Sequence, residues 1–222
     1  MASALRVMAL ARGLTLLQDN NKSLITWAVN IGRIDLAIAA IWLVVSRLGV
    51  RLQEIREPIV LLTAVHFHYT GFAAALVTGT LLAHVRRAGR HQPFLNTIVT
   101  LIIVTPFMVA IGFVWSATLK MVAAVVLSAS LAALAGSQFW FCGKLSSLAA
   151  RIYIRLSALS VVVGMALAMT YAIGDWLKQD WLVIPRMAST HGLLNGLGFS
   201  LLALLGWLIE SRFHPSQKFA NG

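Results

Sequence analysis

Long apolar runs separated by short polar connectors dominate the chain. A membrane-spanning helix needs about 20 consecutive apolar residues. Six segments meet that requirement, at roughly 24–46, 58–84, 94–116, 118–141, 150–174 and 183–210. The third and fourth segments have almost no connector between them, so they should form a tight antiparallel pair. The pattern predicts an all-α protein, a polytopic transmembrane helical bundle of about six spans.

The composition supports the same class. Hydrophobic residues make up 59% of the chain and charged residues only 11%, whereas soluble domains carry about 25% charged residues. No flexible linker and no internal repeat divides the sequence, so residues 1–222 are predicted to form a single transmembrane domain. Residues 1–22 carry two arginines and a weak apolar run without a clear cleavage site, which predicts a retained amphipathic helix rather than a signal peptide.

The net charge of +11 is explained by membrane topology, and no nucleic acid is predicted as a partner. Lysine and arginine collect in the cytoplasmic loops of membrane proteins. If the N-terminus is cytoplasmic, the inner segments hold eleven of these cations and the outer segments six. The distribution therefore predicts that both termini lie in the cytoplasm.

Ionisable residues inside membrane spans are rare and usually functional, and three of those in this chain come from three separate predicted spans. Counted from the outer end at about 1.5 Å per residue, His66, His191 and Asp35 lie within roughly 4 Å of one depth. The three side chains are therefore expected to form one layer. Asp35 would pair with His66 or His191, or it would be neutral and serve as a buried acid.

Helix phase separates the two histidines of the second span. At 100° per residue, Thr63, His66, Tyr69 and Thr70 share one side, and His68 points about 200° away. A regular helix cannot bring both histidines to one metal, and Cys142 is the single cysteine. No metal and no cofactor is predicted.

The last span carries a second polar group. Gly192, Gly196 and Ser200 form a small-residue stripe of the kind that lets helices approach closely. His191 and Asn195 flank the stripe and should point into the bundle, either as part of a cavity or as partners in interhelical hydrogen bonds. Glu57, which precedes Pro58, is either a cap of the second span or an acid at the mouth of a cavity.

Two motifs together indicate a family. The segments "EPIVLLTAVHFHYTGF" (57–72) and "THGLLNGLGF" (190–199) resemble the YndJ-like integral membrane proteins, and the first span is compatible. The resemblance implies a bacterial multi-pass protein of the inner membrane and suggests a transporter. It carries over to a set of polar residues in these motifs, namely Glu57, His66, His68, Tyr69, His191 and Asn195. In size and layout the chain is also similar to small integral membrane terpene cyclases, although no motif carries that likeness.

Two functions of different classes follow, and a third is weaker. The first is an enzyme that starts the cyclisation or isomerisation of a lipophilic, isoprenoid-type substrate by proton transfer. Asp35 or Glu57 would be the acid, and His66 and His191 would tune it or accept the final proton. The residues expected to bind the substrate are His68, Tyr69, Phe72, Phe107, Asn195 and Phe199. The alternative is a small transporter, for which a homodimer would provide a larger body, and the third is a sensor that uses histidine protonation.

Overall fold

The computed structural model describes residues 23–50, 55, 57–90 and 92–213. Within this part of the chain, six helices are long and apolar enough to cross a membrane. They are α1 (Leu24–Arg47), α2 (Ile59–Arg87), α3 (Pro93–Trp115), α4 (Ala117–Cys142), α5 (Leu148–Trp176) and α6 (Ile184–Phe213). The prediction of an all-α transmembrane bundle is confirmed, and no helix boundary differs from its predicted position by more than three residues. The predicted amphipathic helix at 1–22 lies outside the described residues.

Local sequence explains where several helices begin. Ser23, Ser116 and Ser147 have extended backbones and accept hydrogen bonds from amides in the first turns of α1, α4 and α5. Such serine caps satisfy backbone donors that a helix cannot pair internally. Pro93 occupies the first turn of α3, where its missing N–H has no partner to lose.

The connections divide the bundle into two ends. The odd-loop end carries the first, third and fifth connections, which include residues 48–50, Ser116 and 177–183. The even-loop end carries residues 88–90 and 143–147. Large aromatic side chains are exposed near both ends, among them Trp115, Trp176 and Trp181 at the odd-loop end and Phe94, Trp140 and Phe213 at the even-loop end. Aromatic belts of this kind are typical of the two interfaces of a membrane.

Close helix contacts depend on small residues. A Cβ atom on Gly112 would lie 2.5 Å from the backbone of Lys120, so α3 and α4 form the tight antiparallel pair that the sequence predicts. A Cβ atom on Gly206 would lie 2.7 Å from Cγ1 of Ile154, which brings α6 close to α5. Without a hydrophobic driving force between helices in lipid, close packing of this kind is a main source of association.

At the even-loop end, a buried carboxylate joins the last helix to the start of α5. The two carboxylate oxygens of Glu210 accept hydrogen bonds from the backbone amides of Ser146 at 2.8 Å and Ser147 at 3.0 Å. These amides precede α5, so Glu210 supplies a negative charge at the positive end of the α5 dipole. The contact fixes α6 to the beginning of its neighbour.

Two helices change their winding near the middle of the bundle. In α2 the segment Phe67–Ala73 is π-helical, and in α6 the segment Leu194–Leu201 is π-helical. We call them the α2 π-segment and the α6 π-segment. They contact each other, and each follows one of the intramembrane histidines, His66 or His191. Short π-helical stretches occur frequently at functional sites, and hydropathy gives no signal for them.

Candidate functional site

A cavity of about 190 Å³ lies in the half of the bundle next to the odd-loop end. Its walls come from α2, α3, α4, α5 and α6. Most of its lining is apolar, including Val109, Leu127, Met165 and Met187. The polar lining residues are Thr63, His66, Tyr69, Thr70, Lys120, Ser128, Tyr171, His191 and Asn195. A mostly apolar pocket with a few convergent polar groups is the usual form of a small-molecule site.

One side of α2 forms the first polar wall. Thr63, His66, Tyr69 and Thr70 all line the cavity, and these are the four residues that helix phase places on one side. His66 lies seven residues after the start of α2, a depth of roughly 10 Å at the usual rise. Its Nε2 atom is buried and has no hydrogen-bond partner among the described residues. A buried ring nitrogen of this kind is free to bind a group that enters the cavity.

The facing wall on α6 is held by a hydrogen-bond network. Nδ1 of His191 lies 2.8 Å from the carbonyl oxygen of Gly164 on α5. Because a carbonyl oxygen only accepts, the proton of the neutral ring is on Nδ1, and Nε2 carries the lone pair. The side-chain amide of Asn195 donates to the carbonyl oxygen of His191 at 2.8 Å, and its nitrogen lies 3.0 Å from Nδ1 and 3.2 Å from Nε2 of the ring. The tautomer and the orientation of His191 are therefore set by protein groups.

Tyr69 joins the two π-segments. A Cβ atom on Gly196 would lie 3.1 Å from Cζ and 3.2 Å from the hydroxyl oxygen of Tyr69. The tyrosine thus packs directly on the backbone of the α6 π-segment. Gly192, the first residue of the predicted stripe, has no such neighbour and lines the cavity instead. The close approach of Tyr69 to α6 therefore depends on Gly196, whereas Gly192 leaves room in the cavity.

Near the odd-loop end the lining includes Lys120, for which the sequence predicted only a place among the six outer cations. Nζ of Lys120 lies 2.7 Å from Oδ2 of Asp175 and 4.7 Å from the ring centroid of Phe113. Tyr171 and Ser128 also line the cavity. The sequence could have indicated this group, because a lysine three residues into an apolar helix usually has a partner.

Asp35 does not join the two histidines. It is fully buried, and neither carboxyl oxygen has a hydrogen-bond partner among the described residues. Its side chain lies against Gly71, where an added Cβ would be 2.7 Å from its Cβ and Cγ atoms. Gly71 lies five residues beyond His66, which places Asp35 about 7 Å deeper than the histidine layer. The expected single layer and the expected pairing of Asp35 with a histidine are therefore both absent.

The other predicted site residues also lie outside the cavity lining. Glu57 is exposed, and its Oε2 atom accepts a hydrogen bond from the Leu61 amide at 3.3 Å, which is the contact of a helix cap. Nδ1 of His68 lies 2.8 Å from the carbonyl oxygen of Ala64. Phe107 packs against Phe67 with ring centroids 5.6 Å apart. Phe199 is 2% exposed and belongs to the core, and Phe72 is half-buried away from the cavity.

Within the described residues, no three His, Cys, Asp or Glu side chains are grouped as they would be to hold a metal ion. The groups that face the cavity are mostly apolar, with a few polar side chains among them. For the part of the chain that the structure describes, fold and cavity together define an integral membrane protein with six candidate spans and a mostly apolar cavity in one half of the bundle.

Comparison with known proteins identifies the family. The YndJ-like protein family matches residues 2–199. The chain is also 31% identical over 184 residues to a Bacillus subtilis (strain 168) protein named "Uncharacterized membrane protein YndJ". The chain therefore belongs to the YndJ-like family, which confirms the resemblance of the two motifs. The match covers 82% of this chain and 33% of the relative's length. No solved structure matches.

Proposed function

We propose that the protein is an integral membrane enzyme that isomerises a lipophilic, isoprenoid-type substrate by proton transfer in the cavity. The observation that carries the proposal is the pair of histidines from separate helices, at about the same depth in a mostly apolar cavity. One has a buried nitrogen without a partner in the described part of the chain, and the other has its proton position fixed by Gly164. Both are arrangements that general acid–base catalysis uses.

The chemistry requires a carbonyl that is separated from a carbon–carbon double bond by one carbon bearing a hydrogen. Nε2 of His191 removes a proton from the carbon between them, and the electron pair moves onto the carbonyl oxygen. His66, protonated on Nε2, donates a hydrogen bond to that oxygen. His191 then returns the proton to the far carbon, and the double bond shifts. No oxidant is consumed, and both histidines end in their starting states.

Acid-initiated cyclisation, the other reaction considered, is less well supported. It requires a carboxylic acid beside the substrate. Among the described residues that line the cavity there is no Asp or Glu, because Asp35 lies behind Gly71 and Glu57 is at the helix start. Isomerisation uses only groups that the cavity presents.

The cavity volume limits how the substrate would bind. Sites for drug-sized ligands are usually about 300–1,000 Å³, and this cavity is about 190 Å³. It has room for the reacting part of a lipid and not for a whole isoprenoid chain. The tail would extend between the helices into the surrounding membrane. Membrane lipids are therefore an expected partner of the protein, beside the substrate.

The test is an assay in deuterated water with protein reconstituted into nanodiscs. Candidate unsaturated isoprenoid ketones and quinones are incubated with the protein, and mass spectrometry follows isomer formation and deuterium uptake at carbon. His66→Gln and His191→Gln should each lower the rate by about 10²–10⁴-fold, the usual contribution of a general acid or base. His68→Gln is the matched control, because its ring is bonded to Ala64 outside the cavity. If no candidate gives an isomer or takes up deuterium, the proposal fails.

A transporter is the second candidate, and the two π-segments are the observation that favours it. They lie at mid-bundle in the first and last cavity-lining helices and touch each other, so a shift in winding at either one would move the cavity walls. Discontinuous helices at the binding level are common in transporters. Movement of an intact solute across liposomes, lost in the same histidine variants and without chemical change, would support this function over the enzyme.

We also propose that the protein lies in the bacterial inner membrane with the odd-loop end outside. Of the described loop-proximal cations, more lie at the even-loop end, including Arg86, Arg87, Arg90, Lys144 and Arg151. A reporter fused after residue 90 or at the C-terminus should then be cytoplasmic. A reporter placed between residues 177 and 180 should be outside, and the reverse pattern would invert the orientation.

A further inference from the structure

Besides the two histidines, the cavity lining includes one charged side chain, that of Lys120. Among the described lining residues it is the only lysine or arginine, and none is an aspartate or glutamate. Near the odd-loop end the polar lining consists of Lys120, Tyr171 and Thr63. The Thr63 hydroxyl donates to the carbonyl oxygen of Ile59 at 2.8 Å, so Lys120 and Tyr171 are the side chains here that can donate hydrogen bonds to a ligand. This part of the wall is therefore matched to a ligand group that accepts hydrogen bonds and carries negative charge.

We propose that the ligand of this cavity is an anionic amphiphile, whose carboxylate or phosphate is bound by Lys120 and Tyr171 while its apolar part extends past the histidines. This inference rests on the proposed function for the site, and it adds the substrate class. It makes Lys120 a specificity-determining residue. The chemistry shared by carboxylate and phosphate head groups is a compact anion joined to a hydrocarbon chain.

The depths of the polar groups fit such a molecule. Lys120 lies three residues after the start of α4, roughly 5 Å below the odd-loop end, and the histidines lie roughly 10 Å below it. Val109, Leu127 and Met187 are among the apolar residues of the same wall. An anion at Lys120 would thus place a carbon a few bonds along the chain at the level of His66 and His191.

Asp175 determines how available the lysine is. The side chain of Lys120 is 16% exposed and that of Asp175 is 35% exposed, with 2.7 Å between the ammonium and the carboxylate. An ammonium group has three donors, so the ion pair holds Lys120 in place and leaves donors for a ligand. The charge of Asp175 would at the same time oppose a bound anion, so removal of that charge should tighten binding.

A purely structural ion pair is the competing explanation. Lysines near helix ends often extend toward the interface, and exposed ion pairs contribute little to stability. In that case neither residue would affect the choice of ligand. The two explanations differ in the sign of the Asp175 effect, because a structural pair predicts no tighter binding when Asp175 loses its charge.

The experiment compares decanoate with decanol, which share a chain and differ in head-group charge, by calorimetric titration of the full chain in nanodiscs. The wild type should bind decanoate at least about tenfold more tightly, a difference of about 1.4 kcal/mol. Lys120→Met should abolish the preference without weakening decanol, and Lys120→Arg should restore it. Asp175→Asn should tighten decanoate binding. Lys144→Met, an exposed lysine at the even-loop end, should change nothing. Decyl phosphate in place of decanoate distinguishes the two head groups.

Equal binding of acid and alcohol by the wild type, or a preference that survives in a folded Lys120→Met, would overturn the inference. Thermal unfolding of each variant identifies loss of fold, and Lys120→Arg keeps the test valid if Lys120→Met is unstable. Loss of isomerisation in the histidine variants with no anion preference would refute only the head-group proposal. A Lys120-dependent preference without any isomerisation would refute only the enzyme.

Discussion

The two π-segments differ in how completely their polar neighbours are bonded. Around the α6 π-segment, His191 and Asn195 have partners on the protein, and the hydroxyl of Ser157 donates to the carbonyl oxygen of Phe199 at 3.0 Å. Ser200 is the exception, with a buried hydroxyl that lacks a partner among the described residues. Around the α2 π-segment, neither Nε2 of His66 nor either carboxyl oxygen of Asp35 has one.

The two walls of the cavity therefore differ in how fully their polar groups are hydrogen-bonded before a ligand binds. Protein mutational data give about 1–3 kcal/mol for burying a polar group without a hydrogen bond, so such groups are few and often functional. The α6 wall is organised before any ligand binds, which suits a base of fixed orientation. On the α2 wall, Nε2 of His66 lacks a partner among the described residues, and there a ligand or a proton would add the most stability.

The largest expected effect on folding is at Gly71. In Gly71→Ala the new Cβ would lie 2.7 Å from two atoms of Asp35, a distance that forces α1 and α2 apart. Overpacking of this kind usually lowers the free energy of unfolding by about 1–3 kcal/mol. Unfolding by steric trapping in bicelles measures the loss.

The control for Gly71 is Gly136→Ala, whose Cβ would meet no atom of the described residues within 4 Å. It should be neutral or slightly stabilising because alanine is the better helix former, by about 1 kcal/mol or less. Asp35→Gly in the Gly71→Ala background should recover part of the lost stability. Equal stability of the two alanine variants would show that α1 does not rest on the α2 π-segment.

The sequence predicted the helices far better than the site. Hydropathy alone located every described span, because a run of apolar residues has few other stable environments. Helix phase also placed Thr63, His66, Tyr69 and Thr70 on one side of α2. The depth estimate for Asp35 failed, because it used a predicted helix end and took no account of the direction in which the side chain points.

Other features had no sequence pattern to follow. The extra residue that makes a π-helical turn changes no hydropathy average, so the two π-segments could not be anticipated. Phe107 and Phe199 were expected in the cavity because aromatic faces suit cationic intermediates, yet Phe199 packs in the core and the partly buried Phe107 packs against Phe67. Lys120 pairs with Asp175 on α5 and its backbone lies against Gly112 on α3, and both contacts depend on the tertiary fold.

The next largest effect is expected at Asn195. Asn195→Ala removes the hydrogen bond to the carbonyl oxygen of His191 and the contact with the ring. Polar contacts within membrane bundles average about 0.6 kcal/mol and reach about 1.7 kcal/mol, and this one should lie in the upper part of that range because it is buried. Asn96→Ala, which loses only an exposed contact with Arg86, is the matched control. Equal losses for the two variants would argue against a preorganised α6 wall.

A smaller effect, opposite in sign, is expected at Asp35. Asp35→Asn loses no hydrogen bond to the described residues and removes a group that ionises. Since an amide is cheaper to bury than a carboxylate, unfolding should become harder by about 1 kcal/mol or less. Asn195→Asp, made in the bonded wall, should instead destabilise. A loss of stability in Asp35→Asn would mean that the carboxyl has a hydrogen-bond partner. The polar groups around the α2 π-segment would then be as fully hydrogen-bonded as those around the α6 π-segment.

The smallest predicted effect is the difference in stability between two variants at the α6 π-segment, one at Ser157 on α5 and one at Ser200 on α6. Ser157→Ala removes the hydroxyl that bonds the Phe199 carbonyl oxygen, and the loss should be close to the average of about 0.6 kcal/mol for such contacts. Ser200→Ala removes a buried hydroxyl without a partner among the described residues, and it should be neutral or slightly stabilising. The two changes are chemically identical and lie on adjacent helices, so their difference measures the bond alone. If both serines give the same result, the Phe199 carbonyl oxygen does not depend on Ser157, and the contrast between the two walls reduces to His191 and Asn195.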